Sequence, residues 1–243
     1  MNVPLIVQLG VNGAVRVLHP ICLDAGSVGI TSNYAGSYHI LSMEQHYDDY
    51  VITGRTIGLS PISGFPAAHP YERLTGKIRA PGVTGNIGEA IAAIFARRVL
   101  LAEVGDIAHI RPRRPFRKRK SPDYLMRLGR LMPGPFSIIA PDVTQISWPQ
   151  WWPVESKARS TVASSNSGRK EALKQLVAYW QLLSSSQPLT VGYGLIVTFN
   201  YQPPREVRVC LILPSNQGQL NQALTQNGTN IDDSVLRSCL YGC

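Results

Sequence analysis

Two apolar, β-branched runs open the chain, Val3–Val7 and Ala14–Leu18, with Asn12-Gly13 between them. Asn-Gly suits the positive-φ positions of a tight turn, so these runs predict a β-hairpin over residues 3–20. From Leu23 to Pro70 the chain is rich in Gly, Ser and Tyr, with short strand signals at Ser37–Leu41 and Tyr50–Thr53. A loop follows at Ser60–Pro66, and residues 1–75 are expected to form a small β-rich N-terminal module. Helical spacing begins at Gly85, where Ile87, Ile91, Ile94 and Phe95 line up as an apolar stripe. That stripe predicts a helix to about Glu103, and a strand is expected at Asp106–Ile110.

Beyond residue 120 the spacing alternates between the two periods. Pro141–Ser147 and Trp152–Ala158 read as strands of a hairpin folded about Pro149. Leu173, Leu176, Trp180 and Leu183 recur at core-facing intervals and predict a helix over Gly168–Leu183. Strands are expected at Leu189–Phe199 and Glu206–Leu213, joined by a turn at Tyr201–Pro204, with a short helix near Asp232–Leu240. Helices interleaved with strands in this order predict an α/β fold, a mixed central sheet flanked by helices over residues 76–243.

Composition narrows the class. The chain has 243 residues, 44% hydrophobic and 16% charged, enough to bury a full core. No apolar run approaches the length of a membrane span, and no charged leader precedes an apolar segment. No membrane association is therefore expected, and the expected location is the cytoplasm or the compartment of the chain's nucleic acid. The net charge of +9, from 24 Lys and Arg against 15 Asp and Glu, favours a polyanionic partner. Much of the excess lies in one run that includes Arg113, Arg114, Arg117, Lys118, Arg119 and Lys120. Two prolines, Pro112 and Pro115, keep that run from forming a regular helix. Such a run is either a solvated loop or a grip on the DNA backbone that does not read sequence. Cys22, Cys210, Cys239 and Cys243 lack metal-site spacing and read as ordinary thiols, and the five histidines are scattered.

The densest chemistry lies between residues 141 and 180. A hairpin about Pro149 sets Asp142 opposite Ser156, with Glu155 and Lys157 flanking it on one strand face. A carboxylate facing Glu-x-Lys suits a hard divalent cation such as Mg2+ (or Mn2+), and the lysine offsets charge on a reacting phosphate. One turn apart on the following helix stand Gln175 and Tyr179. Asp, Glu-x-Lys and then Gln-x-x-x-Tyr on a helix resemble the PD-(D/E)XK nuclease superfamily, over roughly Gly85–Leu213. The resemblance implies a restriction-endonuclease-like fold and Mg2+-dependent hydrolysis of DNA, with endonuclease action the expected mode. It implies metal binding by an Asp, by Glu155 and by the Ser156 carbonyl. It assigns Lys157 to the attacking water, Gln175 to ordering the site, and Tyr179 to packing beside it or touching phosphate.

Two positions stay open. Asp123, in Pro122-Asp123-Tyr124, carries the local flavour of the family motif, whereas the compact spacing to Glu155 favours Asp142. If Asp123 is the ligand, residues 136–147 become an insertion in the hairpin. Gly88-Glu89 matches a pair that family members carry on the helix before the core strands, where the Glu helps bind metal. The competing reading of Asn86-x-x-Glu89 is a capping box. The rival functions are a DNA-binding or assembly protein on the same fold that does not cleave, and a β-rich interaction protein. Homodimerisation and protein partner subunits stay open too.

Overall fold

The computed structural model describes residues 2–23, 50–54, 81–102, 106–112, 122–129, 134–137, 139, 148–185 and 187–243. The elements in chain order are β1 (Asn2–Leu9), β2 (Val15–Cys22), β3 (Tyr50–Gly54), α1 (Pro81–Arg98), β4 (Ile107–Pro112) and β5 (Tyr124–Met126). There follow β6 (Trp152–Arg159), α2 (Val162–Leu183), β7 (Gly194–Asn200), β8 (Glu206–Ile212), α3 (Gln217–Asn227) and α4 (Asp233–Cys239). Among the described residues, all eight strands join one mixed sheet in the order β2-β1-β8-β7-β6-β5-β4-β3. The α/β architecture read from the sequence is the one found.

The N-terminal hairpin forms, β1 antiparallel to β2, but its connection spans residues 10–14 with the positive φ at Gly10 rather than at Asn12-Gly13, and β1 also runs parallel to β8. β3 pairs with β4 at the opposite edge. Strands from the first 75 residues thus extend the sheet at both ends. The Ser37–Leu41 strand signal, the Ser60–Pro66 loop and the expected boundary at residue 75 lie outside the described residues.

Each face of the sheet carries its own core. One face packs against α1, with Ile91, Ile94 and Phe95 buried among Val154, Ala158, Val197 and Val209. Residues Ala90–Ala96 are all buried, so the middle of this helix is enclosed all round rather than along one stripe. Phe136 meets Phe95 edge to face at 6.4 Å, and Leu128 and Ile139 belong to the same cluster. The opposite face packs against α2 through Leu173, Leu176, Trp180 and Leu183, the four positions read from helical spacing. Trp180 donates its indole N–H to the Tyr193 carbonyl at 2.9 Å, which satisfies its polar atom inside the core.

The hairpin register differs from the expected one. Asp142 opposite Ser156 would set Thr144 opposite Val154. Val154 instead has Tyr124 of β5 on one edge and Leu195 of β7 on the other, so no edge is left for a third strand there. The physical reason is burial. Tyr124, Leu125 and Met126 are buried on both faces of the sheet, and an interior strand needs such a continuous apolar run. Thr144, Gln145 and Ser147 would bring polar side chains there. Pro141–Ser147, with Asp142, lies outside the described residues.

Helix ends also moved. α2 starts at Val162, six residues before Gly168, because Thr161 and Ser164 form a capping box that satisfies the first amides. α1 starts at Pro81, a residue suited to a first helical turn. Asn86 is therefore inside the helix and cannot cap it, which removes the capping-box reading of Glu89. β7 begins at Gly194 rather than Leu189, which lies in a 3-10 turn over Pro188–Thr190. The segment before α4 holds a helix that the sequence reading left out, α3, anchored by Leu220, Ala223 and Leu224. Among the described residues no helix is long and apolar enough to cross a membrane.

Candidate active site

β6 sits between β5 and β7 with a helix on each face, so its side chains divide between two environments. Trp152, Val154 and Ala158 join the α1 core. By alternation Glu155, Lys157 and Arg159 face α2. A Cβ added at Gly168 of α2 would stand 3.2 Å from Arg159 Nε and 3.6 Å from Lys157 Cβ, which fixes that orientation.

Asp123 reaches this strand from β5. Tyr124 pairs with Val154, and one further step in the same register brings Asp123 beside Glu155. Its Oδ2 accepts the Ser156 backbone N–H at 2.9 Å and the Ser156 hydroxyl at 2.6 Å. The N–H and C=O of a strand residue point to the same edge, so the Ser156 carbonyl is directed to the Asp123 side of β6. Among the described residues, Asp123 is the aspartate found beside Glu-x-Lys.

α1 brings Glu89 to the same place. Tyr124 donates its hydroxyl to Glu89 Oε2 at 3.3 Å. Gly88 makes that approach feasible, because a Cβ there would lie 3.0 Å from the Ala158 nitrogen and 3.3 Å from the Lys157 carbonyl carbon. Nothing stands within 4 Å of a Cβ at exposed Gly85, one turn earlier. The two glycines should therefore respond with opposite signs. Gly85→Ala gains helix propensity and is expected to stabilise by up to ~1 kcal/mol. Gly88→Val forces the helix off the β6 backbone and is expected to cost about 1–3 kcal/mol. Urea unfolding of both variants checks this, and equal effects at the two positions would contradict the close approach.

Glu155 is fully buried and forms an ion pair with Lys157 through Oε1, while Oε2 is buried without a hydrogen-bond partner. Burial pushes its carboxyl well above the usual range, and the Asp123 charge raises it further. The Lys157 ammonium and the Asp123 backbone amide act against this without reversing it. Glu155 thus sits buried behind the half-buried Asp123, with Lys157 as its ion-pair partner.

Beside them lies a cavity of about 380 Å³, which Asp123 lines and the fully buried Glu155 does not. Glu89, Asp123 and Ser156 line its acidic end, and Lys157, Arg159, Ser160, Ser164 and Tyr201 line the rest. Gln175 and Tyr179 do not line it. Tyr179 is buried in the α2 core, and Gln175 is half-buried one turn before it. Arg113, Arg114, Arg117, Lys118, Arg119 and Lys120 lie outside the described residues. Arg159 was overlooked in the sequence, though its place two residues after Lys157 puts it on the same strand face.

The donor set suits a hard divalent cation. Among the described residues no group of three or more His, Cys, Asp or Glu side chains gathers at one point. A cation here would rest on the Asp123 and Glu155 carboxylates, the Ser156 carbonyl and water, an all-oxygen set of the kind Mg2+ accepts. The buried Oε2 of Glu155 without a partner is the atom that such an ion would satisfy.

The raised Glu155 carboxyl gives this a pH signature. A group whose folded pKa is raised contributes stability that is complete below its unfolded value near 4.5 and is lost as pH rises through the folded value. In the metal-free protein the Glu155 contribution should therefore fall with rising pH. A cation taking both oxygens displaces the proton, so metal affinity should rise over the same interval. Calorimetric Mn2+ titration in buffers of different ionisation heat is expected to show proton release that diminishes as pH increases. Binding with no proton release at any pH would contradict the assignment of Glu155.

A scan against protein-family models matched none, and searches of curated proteins and of solved structures found no match either.

Proposed function

We propose that the protein is a metal-dependent nuclease that hydrolyses DNA phosphodiester bonds on a restriction-endonuclease-like version of this α/β fold. The observation that carries the reading is the Asp123–Glu155–Lys157 corner, where a buried Glu155 with one oxygen unsatisfied feels the Asp123 charge and Asp123 and Lys157 stand at the cavity wall. A carboxylate is not buried next to a second one without cost unless a cation or proton compensates it.

Mg2+ or Mn2+, when bound, supplies Lewis acidity at a phosphate oxygen and acidifies a water. The chain's own residues do the rest. Ser156 fixes Asp123 through two hydrogen bonds, so its carboxylate is set before substrate arrives. Lys157 uses one donor on Glu155 and keeps others for the attacking water or a phosphate oxygen. Glu89, tied to Tyr124, is placed to order the water near Asp123. Tyr179 supports α2 from within the core, and Gln175 lies on the same helix. The net charge of +9 suits a polyanionic substrate, and the basic run at residues 111–120 offers cations for phosphate contacts.

A cleavage assay on plasmid and linear DNA tests this reading. Nicking or cutting is expected with Mg2+ or Mn2+ and none with a chelator. Metal-independent DNA binding without hydrolysis under any condition would replace the reading with that of a non-cleaving DNA-binding protein.

A further inference from the structure

The cavity does not end at Lys157. It continues along β6 to Arg159, whose guanidinium is held by Glu171 Oε2 at 2.9 Å and by its neighbour's carbonyl, Ala158 O, at 3.1 Å. We propose that Arg159 is a second phosphate-binding residue, kept in position by Glu171 until a nucleic-acid strand displaces that carboxylate. The proposal deepens the nuclease reading and rests on it for the identity of the ligand.

Three observations converge. Lys157 and Arg159 stand two residues apart on one strand face, which separates them by about 6.6 Å along the strand. Two cations at that repeat suit consecutive phosphates of one strand, the first next to the Asp123–Glu155 corner and the second one nucleotide away. The Glu171 side chain is 55% exposed and that of Arg159 31%, so their ion pair is a solvated one that stabilises little. Giving it up costs little, whereas a guanidinium offers a phosphate two parallel donors. The third observation is that Arg159 lines the same cavity as Lys157 while α2 packs close against its side chain at Gly168, 3.2 Å from Arg159 Nε for an added Cβ.

Glu171 then competes with DNA for Arg159, and the two residues should have opposite effects on binding. Fluorescence anisotropy with labelled duplex and single-stranded DNA, in Ca2+ and in chelator, measures this without relying on cleavage. Arg159→Ala is expected to weaken binding roughly tenfold or more. It should also lower the log-log salt slope by about 0.9 for duplex DNA and about 0.7 for a single strand. Arg159→Lys should recover part of the loss. Glu171→Gln should tighten binding several-fold, a gain that misfolding cannot produce, and most of that gain should vanish in the Arg159→Ala background. Unchanged binding in Arg159→Ala, or an equal Glu171→Gln gain with and without Arg159, would overturn the proposal. If this binding pattern holds but no condition yields hydrolysis, the phosphate subsite stands and the nuclease reading falls. If cleavage requires Lys157 while Arg159 is neutral, the nuclease reading stands and the subsite falls.

Discussion

Asp123→Asn should eliminate metal-dependent cleavage and leave the fold intact. Losing even an outer-shell partner of a metal ligand costs 10–100-fold, so loss of the ligand itself should cost ~100-fold or more in activity. The fold should survive because an asparagine oxygen still accepts from Ser156, and because removing the Asp123 charge relieves Glu155. The variant is therefore expected to melt no lower than the wild type while binding Mn2+ far more weakly. Asp142→Asn, in contrast, should keep metal affinity within a few-fold. If Asp142→Asn loses the metal and Asp123→Asn keeps it, the site has been assigned to the wrong aspartate.

Lys157→Ala should lower the cleavage rate by ~100-fold or more, the usual effect of deleting one preorganised charge that stabilises the transition state. Its loss leaves the Glu155 carboxyl without its ion-pair partner, so Glu155 should hold its proton to higher pH. Metal binding should then release more protons than in the wild type at the same pH, and DNA affinity in Ca2+ should change little beyond one phosphate contact. Single-turnover kinetics under saturating metal separate the rate effect from binding. A rate within a few-fold of wild type would remove Lys157 from the chemistry.

What the sequence revealed was local. The β1–β2 hairpin, the strand carrying Glu-x-Lys and the apolar stripe of α2 each follow from contacts a few residues apart, and each was found, though the hairpin turns with its positive φ at Gly10 and not at Asn12-Gly13. What it hid was pairing at long range. Asp123 and Ser156 are 33 positions apart, and a preference for short connections pointed to the nearer aspartate. Loop closure costs only slowly more with length, and here the long connection is put to use, with Leu128, Phe136 and Ile139 packed over α1. The signal that would have decided the matter was in plain view: Tyr124-Leu125-Met126 is a wholly apolar run fit for an interior strand, and Val143–Ser147 is not. The start of α1 was masked by Gly82, Gly85 and Gly88, poor helix formers, although Gly88 serves a close approach to β6. α3 was obscured by its Gln and Asn content, despite Leu220, Ala223 and Leu224 at helical spacing.

The most direct test of the central claim is an anomalous-difference map from a crystal soaked in Mn2+. A peak is expected at the corner between Asp123, Glu155 and the Ser156 carbonyl, with oxygen ligands at about 2.0–2.2 Å and Lys157 turned from Glu155 toward the ion's water shell. A peak elsewhere, or none at a Mn2+ concentration that supports DNA cleavage, would contradict it.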